Sequence, residues 1–218
     1  MEITTFFENI SVQFAELNIV QPLLELEMLD DCAVISGLYC IRSLHEGEEF
    51  SDTFEIHTII YPDFPETLPI IKETGGKVRR LGFEHIYPDR VLCPEVDTRM
   101  KMDLDQSRSI IDYFEKFITP YFFSYLYYCK YRKFPLGERA HGSEGILGLY
   151  CEIFDVKETS VAKTLLQYVC GSAIKGHHTC PCMSGKRYRD CHRSKVAELT
   201  NSKFINLFQT DYSNIEGR

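Results

Sequence analysis

Four residues near the C-terminal end have the types and spacing of a metal site. Cys180 and Cys182 flank one proline, eight residues follow, and Cys191 is joined directly to His192. Three thiolates and one imidazole form a closed tetrahedral set suited to zinc, with no open position, so the expected role is structural. Pro181 and Gly185 allow the tight turn that brings the first pair to the second. The element is too small to bury a core, so the metal would supply its folding free energy. A second chemical candidate is Cys93. It lies in an irregular segment, whereas Cys32, Cys40, Cys129, Cys151 and Cys170 sit among apolar neighbours and read as small buried side chains. His85 is eight residues upstream of Cys93, and a loop can return it to the thiol. Arg79, Arg80 and Arg90 are expected to favour the thiolate. A cysteine nucleophile needs that thiolate and a donor for the developing oxyanion.

These residues must be positioned by elements legible in the pattern. Phe6, Phe7, Ile10, Phe14 and Leu17 predict an amphipathic helix from about residue 4 to 17. Strand character follows at Leu23–Leu29, Ala33–Ile41, Phe54–Ile60 and Leu68–Lys72, with short links, as in an antiparallel meander. Residues 77–105 have no clean periodicity and form a long irregular stretch of the kind that carries function. Helical spacing resumes at Gln106, with Asp105 as N-cap, and Pro120 is expected to end or kink that helix. Tyr121–Tyr131 reads as an aromatic core helix. Residues 135–142 read as a loop, and helices are expected at Ser143–Phe154, Ser160–Cys170 and Val196–Phe208, with 171–178 as a linker. The fold class is α+β, with one domain over 1–156 and a helical linker plus zinc element over 157–218.

The chain has 218 residues, 24 Lys and Arg against 32 Asp and Glu, and a net charge of −8. The acidic total argues against bulk nucleic-acid binding. Residues 171–195 reverse that sign, with six basic residues and one Asp, read as a solvated face or a docking patch. No apolar run approaches the roughly 20 residues of a membrane-spanning helix. The start, Met1-Glu2-Ile3-Thr4-Thr5, lacks the basic and apolar blocks of a secretory signal, so a reduced cytoplasmic compartment is expected. No G-x-G-x-x-G or G-x-x-x-x-G-K-[ST] loop is present, so no ATP-dependent activation is expected of this chain.

The run Cys180-Pro181-Cys182-Met183-Ser184-Gly185-Lys186-Arg187-Tyr188-Arg189-Asp190-Cys191-His192 resembles the SEC-C motif, C-P-C-G-S-G-K-x-Y-K-x-C-[CH]. Met183 replaces a Gly and no ligand is lost. The resemblance implies a structural zinc knuckle. Residues 1–130, with Tyr61-Pro62-Asp63-Phe64-Pro65, Leu68-Pro69 and Phe83 through Cys93 before a long helix, resemble a ubiquitin-conjugating enzyme domain. In that family the catalytic cysteine closes an H-P-N-[VI]-Y-x-x-G-x-[VI]-C stretch. Ile86-Tyr87, Leu92 and Cys93 match it; Phe83 stands at the His, His85 at the oxyanion-stabilising Asn, and Arg90 at the Gly. The bacterial branch often carries His at the Asn place. The segment Phe134–Gly142 looks like bacterial relatives found in CBASS antiphage operons beside a cGAS-like nucleotidyltransferase, and His141 there is either a cleft residue or a plain loop histidine.

The resemblance implies transthioesterification. Cys93 would take the C-terminal acyl group of a protein and pass it to an amine, with His85 stabilising the oxyanion. Glu95 and Asp97 would orient the amine or lie solvated. A separate activating enzyme or an activated acyl donor is implied as partner, and a protein substrate such as the nucleotidyltransferase. Two alternatives stay open: a catalytically silent binding or adaptor domain, and a zinc nucleic-acid adaptor resting on the basic C-terminal stretch.

Overall fold

Phe6, Ile10 and Leu17 form the buried face of helix α1, Ile3–Val20, in the computed structural model, which describes residues 2–80, 82–135, 137, 140–172 and 174–217. The helix runs three residues past its expected end, and its C-terminus is tied down by polar side chains. Asn18 Nδ2 donates to Leu24 O at 2.9 Å, and Gln21 bonds both backbone groups of Cys40, at 2.8 and 2.9 Å.

Four strands follow in a purely antiparallel sheet of order β1-β2-β3-β4: Leu24–Met28, Ala33–His45, Glu48–Ile60 and Ile70–Glu73. The expected meander is therefore present. β2 and β3 are longer than the apolar pattern indicated, because their outer halves extend as a hairpin whose polar residues face water. The hairpin closes at Glu46 and Gly47, with φ of 51° and 84°, the left-handed pair that matches strand twist. Period-two alternation turns Ile35, Tyr39, Phe54, Ile56, Ile60 and Ile71 into one core.

A helical rod covers that core. It consists of α3 (Ile110–Tyr113), one π-helical turn (Phe114–Ile118) and α4 (Thr119–Tyr131). Phe122 of α4 stacks on Phe54 at 4.2 Å, and Tyr39 packs against Phe114 at 5.4 Å. Pro120 does not end the rod, because it falls in the first turn of α4, where its missing N–H follows the π-turn. The N-cap is Ser109, whose Oγ accepts from Asp112 N–H at 3.2 Å; Asp105 instead ends helix α2, Asp97–Leu104. That helix was not anticipated, although Met100 and Leu104 mark its buried face at helical spacing.

The chain splits into two compact units, Met1–Gly137 and Glu138–Arg218, rather than after residue 156. The reason is that α5, Gly142–Phe154, buries Leu149, Tyr150 and Phe154 with helices of the second unit. The helices of that unit are α5, α6 (Thr159–Val169), α7 (Arg193–Thr200) and α8 (Ile205–Glu216), and α5 packs on α6 and α8. The expected helix over 196–208 is two helices, interrupted at residues 201–204. Tyr150 Oη donates to Asp211 Oδ2 at 2.8 Å and joins α5 to α8 inside this core. No described helix is long and apolar enough to cross a membrane.

Candidate functional site

The segment from His85 to Cys93 is a tight antiparallel turn, not an irregular loop. Arg90 N–H donates to Tyr87 O at 3.0 Å, and Tyr87 N–H donates to Val91 O at 2.8 Å. Pro88 presets the first corner, and Arg90 takes φ of 73°, the left-handed place of a three-residue hairpin with a bulge. The outgoing limb extends the sheet beyond β4: Leu92 N–H donates to Ile71 O at 2.9 Å, and Glu73 N–H to Arg90 O at 3.2 Å. Cys93 then closes the turn by donating its N–H to His85 O at 2.9 Å. Cys93 and His85 are thus brought opposite each other by backbone pairing.

Both side chains are partly buried. The His85 ring meets Phe83 and Phe134 edge-on, at 5.3 and 5.5 Å. Phe83 is itself in the core. Tyr87 Oη donates to Cys93 Sγ at 3.9 Å. Burial pushes the Cys93 thiol above its ordinary value, Tyr87 pulls it down, and Asp97 and Glu95 push it up again. Among the described residues the charges that act on the thiol are those of Asp97 and Glu95, and the three arginines are engaged elsewhere. Arg80 pairs with Glu84 at 2.9 Å. Arg90 pairs with buried Glu73 and donates from its guanidinium to Val78 O at 2.6 Å. Arg79 lines a separate cleft. Arg90 therefore locks its own strained turn, and the thiol is held above its ordinary value by burial and by the charges of Asp97 and Glu95.

Three neighbours had no role assigned from the sequence. Glu73 is fully buried and accepts from Lys77 N–H at 3.0 Å and Val78 N–H at 3.3 Å. Its inward direction was legible, since alternation puts it on the face of Ile71. Tyr87 has no such signal, because only the turn aims its phenol at the sulfur. Tyr121 is buried against Phe83 at 5.5 Å, and its hydroxyl has no hydrogen-bond partner among the described residues. His141 stands exposed before α5 in the second unit. Within the Phe134–Gly142 segment, Leu136, Glu138 and Arg139 lie outside the described residues.

In the second unit the four expected ligands converge. Cys180, Cys182, Cys191 and His192 place one ligand atom each within 4.8 Å of one another, close enough to hold a metal ion. Cys182 and Cys191 Sγ are 3.5 Å apart, and His192 Nδ1 is 3.2 Å from both Cys180 and Cys191 Sγ. Tetrahedral zinc at its usual bond lengths needs about 3.8 Å between sulfurs, so the set fits with a small expansion. His192 Nε2 lies 2.9 Å from Phe154 O, which fixes the tautomer with Nε2 as donor and leaves Nδ1 for the metal. Met183 and Gly185 take φ of 56° and 76° in the turn between the cysteines. Burial pushes the Cys182 thiol up, but bonds from Ser184 and the neighbouring thiols outweigh it and bring it down to about 6.

No family model, no curated protein and no solved structure matches this chain.

Proposed function

We propose that the first unit is a ubiquitin-conjugating-like domain that carries a protein C-terminus as a thioester on Cys93. The observation that carries this reading is the hairpin ending in Cys93. Its nucleophile candidate lies opposite His85, and Arg90 is left-handed at the place where the resembled pattern has glycine. A residue that must be left-handed at that place supports the register of the match.

In this reading Cys93 Sγ attacks the activated acyl carbon of a donor and expels its leaving group, while the thiol proton passes to solvent. An amine nitrogen then attacks the thioester carbon. The electron pair moves to the carbonyl oxygen, which an N–H of His85 stabilises, and returns as Sγ leaves. The products are an amide and the free thiol. Loss of such an oxyanion donor costs about a hundred- to a thousandfold in rate. A thiol held above its ordinary value is a poorer leaving group, so its thioester is slower to lose the acyl group. The Cys180, Cys182, Cys191 and His192 set holds structural zinc in the second unit, remote from this chemistry in role. The donor and acceptor are proteins, with a cGAS-like nucleotidyltransferase of a CBASS system as the candidate substrate and a separate activating enzyme as the source of acyl groups. The setting is the bacterial cytoplasm.

One observation favours a silent binding domain instead: among the described residues the charges acting on the thiol are carboxylates, which raise it. Intact mass of the chain co-expressed with such a nucleotidyltransferase and activating enzyme, without reductant, separates the two. A thiol-sensitive protein adduct lost in Cys93→Ala, and replaced by a thiol-resistant one in Cys93→Ser, is the expected result. No adduct in any variant, with both partners present, would leave the binding-domain reading.

A further inference from the structure

The first unit holds a cleft of about 630 Å³ that the thiol chemistry leaves unused. Lys77, Arg79 and Arg132 bring three cations to it, Tyr125 and Tyr128 form an aromatic wall, and Cys129 stands at its edge. Its volume is that of a small-molecule site. Its charge runs against the chain, whose net value is −8. Asp52, the single carboxylate among the described lining residues, is already held by Lys77 Nζ at 2.6 Å. Among the described residues no carboxylate pairs with Arg79 or Arg132.

Arg79 is anchored through its backbone and Arg132 through its guanidinium. Tyr125 Oη donates to Lys77 O at 2.6 Å and accepts from Arg79 N–H at 3.3 Å, which ties the 77–79 loop to α4. Arg132 caps α4 at φ of 54° and lays its guanidinium over the Tyr128 ring at 5.5 Å. Gly76, at φ of 73° with open space where a Cβ would be, lets a ligand approach the backbone. Planar guanidinium forks match phosphate oxygens bidentately, and the anchored Arg79 backbone and the stacked Arg132 guanidinium lower the cost of binding.

We propose that this cleft binds a small polyphosphate-bearing ligand, with phosphate oxygens on Arg79 and Arg132. The same chemistry is offered by an inorganic polyphosphate or by a nucleotide, and the tyrosine wall distinguishes them.

The test is calorimetric titration of the full chain at physiological salt with tripolyphosphate, ATP and citrate, together with mass-mapped alkylation of Cys129. Saturable binding of tripolyphosphate and ATP is expected, weakened about tenfold by Arg79→Gln or by Arg132→Gln. Arg42→Gln, on the exposed β2–β3 hairpin, leaves it unchanged. Bound ligand slows alkylation of Cys129. ATP binding tighter than tripolyphosphate assigns a nucleotide, and equal binding assigns the phosphate chain alone. No saturable binding, equal binding of citrate, or indifference to both arginine variants would overturn the proposal. Both exposed arginines can be replaced without a core change, and circular dichroism checks the fold. Cys93→Ala keeps the binding, so this result stands apart from the thioester reading.

Discussion

Arg90 occupies a left-handed position that costs a residue with a Cβ about 1 kcal/mol, and its guanidinium neutralises the fully buried Glu73. Breaking a buried pair by removing one partner costs about 3 kcal/mol or more. Arg90→Gly should therefore relieve the backbone yet lower stability by about 2 kcal/mol net in urea unfolding. Adding Glu73→Gln to that variant should recover most of the loss, because no buried charge is then left unpaired. At Cys93 the sign of the thiol shift gives a second prediction. A raised thiol is less ionised at neutral pH than a free cysteine, so its alkylation rate keeps climbing as pH passes the ordinary thiol value. Asp97→Asn removes a carboxylate that pushes the thiol up, and should speed alkylation at pH 8 about two- to fivefold. Tyr87→Phe removes the donor that pulls it down, and should slow it. Mass-mapped iodoacetamide kinetics reads each cysteine separately.

At the scale of elements, the rod from Ile110 to Tyr131 holds the site in place from behind. Its π-turn rephases the helix so that Phe114, Phe117, Ile118, Tyr121 and Phe122 all reach the core. Phe83, which adjoins His85, packs on Tyr121 and Tyr125 of this rod at 5.5 and 5.1 Å. Phe122 is fully buried on Phe54, so Phe122→Ala should cost about 3–5 kcal/mol in the unfolding of the first unit. In the second unit, Tyr150→Phe leaves one oxygen of buried Asp211 without its phenol donor and should cost about 1–3 kcal/mol. A null result in thermal unfolding would mean that water replaces that donor.

At the scale of the whole molecule, two separate cores imply two separable stabilities. The metal cluster belongs to the second, through His192 and its bond to Phe154 O at the end of α5. Chelation should therefore lower the unfolding temperature of the second unit and leave the transition of the first unchanged. Cys191→Ser should reduce bound metal, measured by elemental mass spectrometry, with the same selective loss. A first-unit transition that follows the chelator would contradict independent cores. The metal that co-purifies in stoichiometric amount also tests the preference for zinc argued from the three-sulfur, one-nitrogen donor set.

Local rules were enough for much of this protein. Period-two and period-3.6 patterns determined the meander, α1 and the aromatic helix, because each buries one face whatever its partner. The metal set was legible for a similar reason: Cys180, Cys182, Cys191 and His192 lie within thirteen residues, where spacing alone limits their separation. Cys93 was marked by its types and neighbours, but its surroundings were decided by pairing over distance. Three arginines near it in the chain promised an activated thiolate, yet Arg90 is claimed by Glu73 from β4 and Arg80 by Glu84, while Tyr87 donates to the sulfur and the charge of Asp97 raises the thiol. Charges act through space, and only the hairpin that extends the sheet beyond β4 sets which of them lie close. The same holds for the cleft at Arg79 and Arg132, more than fifty positions apart in sequence and joined by the fold of the 77–79 loop onto α4.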